Sequence, residues 1–499
     1  MPEVNPSVGP GLLGAAPRNA RDLQHTHCGA ACPARVKTVV PLAADLHDLP
    51  AYAGGLKRLR ARRLRLPDGF STGPGGWAGF RFAVGQAVLG FGAGAAAPVR
   101  AWYLRFRWAE ERRKNGLRGA LRMLAGEPVR ALRETRHNVA RYGPACRREF
   151  GVSLGTQWRQ LLWLRLARGV HVSTYYQYQI FRPERRRVVS HYLQHNESTV
   201  VYRVLAYREA VDDYLLLEDK RRLERWCRER AIPTVRTVAE FEGGRLTAVE
   251  PDYADGAPPS GRDLFSKPID LNGGMGAQRW RWVDGVWHDE AGTPHDRAAV
   301  FAVLADASRE RGQLLQECLV NAPELALLTT DALSTARIIT TRGLGGDPEV
   351  VAGAFRIGLR GNATDNLHRG GVAVAIDVTT GRLGGAMRPD PATMIMPLQR
   401  HPDTGVAFEG FQLPRWAEAT ALAVRAHALL SHIAVVGWDV AFTPDGPVIV
   451  EGNFSPEPRL TQAPSGAPLG LTNHLRYLDA QLRRSYARRP IAAARPTLP

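Results

Sequence analysis

The sequence predicts an α+β fold behind a basic, mostly helical N-terminal extension. Three observations carry this reading. Short apolar runs of β type recur after residue 260, with helical stretches between some of them. Two of these runs, within 437–456, are joined by a Pro-Asp-Gly turn, the mark of an antiparallel hairpin. Positive charge is concentrated at one end: residues 1–150 hold 25 Lys and Arg against 10 Asp and Glu, and the remainder holds 41 against 38.

A chain of 499 residues favours two or three domains, and its 44% hydrophobic and 23% charged content suits a folded body. Residues 1–50 are rich in Pro, Gly and Ala and read as a flexible leader. No basic start followed by an apolar stretch marks a signal peptide. His25, His27, Cys28 and Cys32 resemble a metal cluster in composition but lack a second ligand pair, so no metal site is assigned there. The five cysteines are odd in number and irregular in spacing, which implies no disulfide framework and fits a cytoplasmic protein.

Residues 51–150 form the basic extension, beginning with the run GLKRLRARRLRL at 55–66. Phe82 to Val99 carries no charge, but its Gly and Ala contribute little transfer energy. It reads as a buried or peripheral segment rather than a span. Residues 101–142 read as helix, broken at Gly116, Gly119, Gly126 and Pro128. Trp102, Tyr103, Phe106 and Trp108 lie among arginines there, a pattern suited either to an anionic surface at the inner membrane face or to packing on the body. No zinc-finger spacing supports nucleic acid as a partner.

A segment at 151–215 follows, with a helix over Trp158 to Val170 and the crowded Tyr175, Tyr176 and Tyr178. A helix starts near Glu218 and Asp219, runs to Arg230, and leads through Ile232-Pro233 into a strand. Later strands are expected around Leu264–Pro268, Leu314–Val320, Ala336–Thr341, Val350–Leu359, Gly371–Val378, Ile433–Phe442 and Pro447–Glu451, with helices at 298–312 and 414–431. No alternating βα pattern with a glycine fingerprint is present, which disfavours a dinucleotide-binding Rossmann fold.

The residues that carry chemistry cluster in this later part. In the hairpin GWDVAFTPDGPVIVEGNFSP, Glu451 and Asn453 share one strand face, and the turn brings Asp439 opposite them. Two carboxylates and an amide are hard oxygen ligands suited to Mg²⁺ beside phosphates. Lys267, at the end of an apolar strand, precedes the glycine loop Gly273, Gly274 and Gly276, a phosphate-binding arrangement. Lys220 opens a helix. Glu317 and Leu319 end another strand, whose edge can meet a base, and Glu324 follows.

In this order the pieces resemble the ATP-grasp superfamily over roughly 215–460. Asn366-Leu367-His368-Arg369-Gly370-Gly371 and Glu451-Gly452-Asn453-Phe454-Ser455-Pro456 look like the corresponding motifs of glutamate-ligase-like members. The region 150–480 looks most similar to the sugar-transfer-associated ATP-grasp group of polysaccharide clusters. The resemblance implies two α+β subdomains clamping ATP, at 216–330 and 331–480, with a tail at 481–499. It implies Lys220 and Lys267 on the phosphates, and Gly273, Gly274 and Gly276 as a lid. Glu317 and Leu319 would meet adenine, Glu324 the ribose, and Asp439, Glu451 and Asn453 two Mg²⁺ ions. Arg337 and Arg356 would face the transferred phosphoryl group, and Asn366 would help close over it. One departure is Ser334-Thr335, where relatives commonly show Asn-Thr.

The implied activity is an ATP-dependent carboxylate–amine ligase that works through an acyl phosphate and releases ADP and phosphate, in polysaccharide or cell-envelope synthesis. The acceptor would be an amine or a sugar-linked group. The alternatives are a phosphotransferase to a hydroxyl and a non-catalytic nucleotide-binding scaffold.

Overall fold

The computed structural model describes residues 94–487, apart from 252–260, 272–273, 330–331, 344, 362–363 and 368–369. The leader with its His and Cys residues, the basic run at 55–66 and most of Phe82–Val99 lie outside the described residues.

Helices come first. α1 (Ala97–Ala125) begins with Pro98 in its first turn, where the missing N–H costs no hydrogen bond. Gly116 sits inside it at φ 66°, ψ −175°, so the helix kinks there. Gly126 turns the corner into α2 (Glu127–Phe150), and Pro128 opens α2 rather than breaking a helix. Gly119, expected as a third break, stays helical. α2 and α3 (Leu154–Arg168) form an antiparallel hairpin. Gly151, at φ 70°, caps the first, and Ser153 accepts from the Thr156 N–H to cap the second. The buried Gln157 amide fastens the hairpin by donating to the carbonyls of Gly143 and Val152.

α4 (Val172–Gln177), α5 (Pro183–Arg187), α6 (His195–Glu209), α7 (Val211–Glu218) and α8 (Lys220–Glu229) follow. Tyr175, Tyr176 and Tyr178 are buried in one apolar cluster with Tyr142, Leu161 and Leu164 of the hairpin. Asp219 caps α8, its carboxylate accepting from the N–H groups of Arg221 and Arg222.

The strands are β1 (Thr237–Glu242), β2 (Arg245–Val249), β3 (Leu264–Pro268), β4 (Gln278–Val283), β5 (Val286–His288), β6 (Pro294–His295) and β7 (Gln313–Glu317) in the first half, with α9 (Arg297–Ala307) before β7. The second half holds β8 (Thr335–Arg342), β9 (Pro348–Ile357), β10 (Val372–Ile376), β11 (Leu383–Asp390), β12 (Met394–Leu398), β13 (Val435–Thr443) and β14 (Gly446–Asn453). α10 (Trp416–Ala428) precedes β13, and α11 (Arg459–Ser465) and α12 (His474–Ala487) follow β14.

Among the described residues, the strands form two sheets, ordered β2-β1-β7-β3-β4-β5-β6 and β12-β11-β10-β9-β8-β13-β14. Every pairing between these strands is antiparallel. This agrees with the α+β expectation. β2, β4 to β6 and β11 to β12 lie outside the strands expected from the sequence.

β13 lies inside the second sheet and is buried along its whole length. Its Trp438, Val440 and Phe442 share a core with Ile338, Phe355 and Leu422 of α10. Side chains alternate across a strand, so the intervening Asp439, with Arg337 and Arg356 on the neighbouring strands, faces the other way. That alternation supplies the second sheet's polar face.

The N-terminal helices are tied to this body by buried charge. The Arg100 guanidinium of α1 meets the Glu197 carboxylate of α6, with the two side chains 2% and 1% exposed. It also donates to the carbonyls of Arg168 and Tyr192. Among the described residues, no helix is long and apolar enough to cross a membrane. Removing either partner of this pair strands the other in the core. Arg100→Ala is expected to cost about 3–5 kcal/mol of stability, read as a lower midpoint in urea unfolding. A midpoint within error of wild type would show that the pair does not hold α1 in place.

Candidate active site

A cleft of about 600 Å³ is lined by both sheets and by α8. Its wall includes Lys220, Lys267, Gly274, Glu317, Leu319, Arg337, Arg356, Asn366, Asp439, Glu451 and Asn453, so the structure brings these sequence-identified residues to one place. Glu324 is not among the lining residues; it is exposed on the 3₁₀ turn Pro323–Leu325, while its neighbours Pro323 and Ala326 face the cleft. Gly276 stands against the Pro268 ring, and Gly273 lies outside the described residues.

The hairpin β13–β14 delivers its acids through register. Asp439 pairs across to Glu451, and Gly437 to Asn453, with a bulge just after Asp439. On the other side, Asp439 pairs with Arg337 of β8. These neighbours build a chain of alternating charge. Arg337 donates to both Asp439 oxygens, at 2.5 and 3.0 Å. Arg356 Nη1 lies 3.3 Å from Asp439 Oδ2 and its Nη2 donates to Asp365 Oδ1 at 2.8 Å. Thr335 Oγ1 completes the chain on Asp365 Oδ2 at 2.6 Å. Burial alone would raise the Asp439 pKa, but Arg337 and Arg356 hold its carboxyl below the usual range. Burial opposes the charge on Arg356 too, and Asp365 with Asp439 keeps it firmly protonated.

The lysines come from the other side. Lys220 Nζ donates to the Leu271 carbonyl at 2.7 Å and stands 3.6 Å from Glu451 Oε1. It thereby links α8, the loop after β3 and the end of β14. Burial first, and the Lys220 ammonium second, push Lys267 down to about 8. Gly274 has φ 69°, and a Cβ there would lie 2.9 Å from the Thr364 side chain. Only glycine permits both the backbone conformation and this close approach to the second sheet's loop.

Among the described residues, no group of three His, Cys, Asp or Glu side chains converges as a metal site. The donor set here is smaller: two carboxylates, Asp439 and Glu451, and the Asn453 amide. The Asn453 Nδ2 donates to the Gly437 carbonyl, which leaves the amide oxygen for a ligand. Hard oxygens in a cleft that also carries two lysines fit Mg²⁺ bound beside phosphate, where the nucleotide and water supply the remaining ligands.

The sequence reading missed Asp365, which precedes Asn366 directly, and the cleft-lining Glu457 and Arg459, which follow the Glu451–Pro456 motif. The alternating Pro456-Glu457-Pro458-Arg459 run was the available signal for the latter pair.

The profile of the sugar-transfer associated ATP-grasp family matches residues 206–479, more than half of the chain. The chain belongs to this family. Its fold is therefore ATP-grasp, in agreement with the resemblance read from the motifs. No curated protein matches the chain. Similar solved structures include an N5-carboxyaminoimidazole ribonucleotide synthetase in complex with ADP, at 14% identity, TM-score 0.30, and 51% coverage of each chain. Others are D-alanine–D-alanine ligases from Bacillus anthracis, complexed with ATP (12% identity, TM-score 0.30, 55% of this chain and 68% of that one), and from Coxiella burnetii (12%, 0.32, 55% and 59%). The chain spans about half the length of the synthetase it matches.

Burial pushes the Lys267 ammonium down to about 8, so a nucleotide bound beside it, the placement the resemblance implies, would have a pH-dependent affinity. A triphosphate beside Lys267 favours the ammonium, so its pKa rises on binding and a proton is taken up. ATP affinity is expected to fall as pH rises through about 8, by at most about tenfold per unit. Calorimetry at pH 8.5 in buffers of different ionisation enthalpy should show the uptake, and Lys267→Arg should abolish it. Equal uptake in that variant would assign the proton to another group.

Proposed function

We propose that this chain is an ATP-dependent carboxylate–amine ligase. The observation that carries the reading is the cleft's division of charge. Lys220 and Lys267 approach from α8 and the first sheet, while Asp439, Glu451, Arg337 and Arg356 stand on the second. A polyanion accompanied by cations is the ligand that suits both halves.

In this reading the lysines hold the ATP phosphates, and the loop carrying Gly273, Gly274 and Gly276 closes over them, with Gly274 against Thr364. Glu317 and Leu319 take the adenine edge through their backbone. Asp439, Glu451 and Asn453 hold up to two Mg²⁺ ions. Magnesium held by Asp439, Glu451 and Asn453 would neutralise phosphate charge during transfer. Arg337 and Arg356 donate to the phosphoryl oxygens as charge shifts during transfer. Without a nucleotide these arginines are satisfied by Asp439, so the cleft needs no ligand to remain folded. Asn366 helps seal the reacting group from water. Glu324, exposed between the cleft-lining Pro323 and Ala326, accepts the ribose hydroxyls.

A substrate carboxylate oxygen attacks the γ-phosphorus, the bond to the β-bridging oxygen breaks, and ADP leaves. The resulting acyl phosphate is attacked at carbon by an amine, which loses a proton as phosphate departs. Holding both reactants in one cleft supplies much of the rate. The family's description ties it to sugar transfer, so amino sugars belong among the acceptors tested.

Phosphate release from ATP by the full chain, measured against paired acids and amines, is expected to require both partners. Glu451→Gln should lower it by about 10²-fold or more with little change in thermal unfolding. Near-normal turnover in that variant would sink the metal assignment. ADP formation with a hydroxyl acceptor and no acid would favour the phosphotransferase instead.

A second observation favours attachment to an anionic membrane surface. Exposed Leu121, Leu124, Val129 and Leu132 flank the Gly126 corner, with Val129 72% exposed. Arg165 ties the end of α3 to Glu127, and that end carries Trp163, 52% exposed, and Leu166. Exposed Arg118, Arg122, Arg133 and Arg136 stand among them. Apolar side chains ringed by guanidinium groups fit headgroup depth, where each basic residue contributes about 1 kcal/mol. The full chain is expected to float with phosphatidylglycerol vesicles at low salt and to detach at high salt, and Trp163→Ala with Leu166→Ala should weaken flotation. Protein that stays at the bottom of the gradient in both conditions would rule this out.

A further inference from the structure

The cleft continues past the residues used above. Its lining also includes Thr364, Leu367, Glu457, Arg459 and Leu460. Leu367 and Leu460 belong to one apolar cluster, so the loop before β10 and the start of α11 meet there. Nucleotide contacts assigned to α8 and the first sheet leave this part of the cleft free for another ligand.

Arg459 is the informative residue. Among the described residues its guanidinium makes no hydrogen bond or ion pair, and its Nε is buried without a partner. Thr364 Oγ1 is buried and unpartnered as well. A buried donor with no acceptor carries a desolvation penalty that a bound acceptor would relieve. A guanidinium in such a position has the donor geometry for a carboxylate.

Glu457 supplies the opposite charge nearby. Its Oε2 lies 2.5 Å from His195 Nδ1 on α6, and its Oε1 accepts from the Arg459 backbone N–H at 3.2 Å. Burial would raise the Glu457 pKa, but His195 first and then the charge and backbone N–H of Arg459 hold it down at about 2, so the group is anionic at neutral pH. The same contact raises the His195 pKa. Glu457 and Arg459 are two residues apart and form no ion pair with each other. A guanidinium and a carboxylate, the latter already in contact with His195, thus line the same end of the cleft without an ion pair between them, beside two leucines.

We propose that this end of the cleft binds a zwitterion of the α-amino-acid class, with Arg459 on the carboxylate and Glu457 on the ammonium. The inference rests on the ligase reading for what becomes of the ligand, since one of the two substrates is then an amino acid. The separation of charges carries the recognition: a simple carboxylic acid satisfies Arg459 alone, and a simple amine satisfies Glu457 alone. Thr364 adds a hydroxyl toward the same ligand, and Leu367 with Leu460 favours a small apolar substituent over a charged one.

The test uses the full chain with Mg²⁺ and the β,γ-imido analogue of ATP. Saturation-transfer NMR against the free α-amino acids is expected to find at least one binder. Its N-acetyl and α-amide derivatives should bind at least about tenfold more weakly. Arg459→Gln should weaken the free amino acid by roughly 10- to 100-fold and erase the preference for carboxylate over amide. Glu457→Gln should erase the preference for ammonium over N-acetyl. Retained affinity for the ATP analogue shows that each variant is folded, and Arg459→Lys should recover part of the loss.

The proposal is overturned if the wild type binds none of the free amino acids. It is equally overturned if folded Arg459→Gln and Glu457→Gln bind them as the wild type does. Specific binding that is lost in the variants, with no ADP formed by the wild type under any amine pairing, would discard the ligase activity and leave the subsite standing.

Discussion

The run of alternating charge from Arg337 through Asp439 and Arg356 to Asp365 is the constraint on which the cleft depends. The Asp439 side chain is 2% exposed, that of Asp365 7% and that of Arg356 16%. Any one of these charges alone in the sheet would carry a penalty of several kcal/mol. They are tolerable because each carboxylate meets a guanidinium and the Thr335 hydroxyl closes the end. Register enforces this. A one-residue slip of β13 against β8 would turn Asp439 into the apolar core and place Trp438 or Val440 in the cleft. The apolar side of the sheet therefore protects the polar side: Trp438, packed in the core and donating to Thr340 Oγ1 at 3.0 Å, locks the alternation that Asp439 needs.

The helices before the first strand serve the same end from the other face. The tyrosines of α4 and the segment after it, packed with the α2–α3 hairpin, form the apolar cluster that also holds Leu367 and Leu460. Through the latter pair, the N-terminal helices help fix the loop before β10 and the start of α11. The buried Gln462 of α11 strengthens the link by accepting from the Leu193 N–H and donating to the Leu193 carbonyl and the Tyr178 hydroxyl. The helical extension is thus part of the scaffold of the cleft's outer end, whatever its exposed corner meets.

What the sequence made legible follows from how local each signal is. The hairpin at 437–456 could be read because turn chemistry and strand alternation both lie within twenty residues. Its register then carried Asp439 to Glu451 without further information. β11 was not anticipated because LGGAMRPD lacks the apolar alternation that marks a half-buried strand, whereas the Arg279-Trp280-Arg281-Trp282 alternation of β4 was a signal the sequence reading passed over. Gly119 stays helical although glycine's low helix propensity marks it as a break. Asp365 and Glu457 were missed for another reason: their meaning lies in side-chain contacts, Asp365 with Arg356 on the preceding strand and Glu457 with His195 far along the chain, which no local pattern states.

The cleft also shows why its two halves need each other. Lys220 belongs to a helix that packs on the second sheet's core, yet its ammonium is fixed by carbonyls of the loop after β3, in the first sheet's half. Its other neighbour is Glu451, at the end of β14. One side chain therefore ties the glycine loop to the acidic strand, and the lowered pKa of Lys267 is partly its doing. Two ammonium groups held this close are unfavourable unless an anion lies between them, and the only carboxylate near enough to Lys220 to form an ion pair among the described residues is Glu451. The first half thus carries a surplus of positive charge, and the second half balances its own arginines internally. The internal balance lets the buried chain remain ordered in the absence of a ligand, and an incoming polyanion removes the surplus beside the lysines.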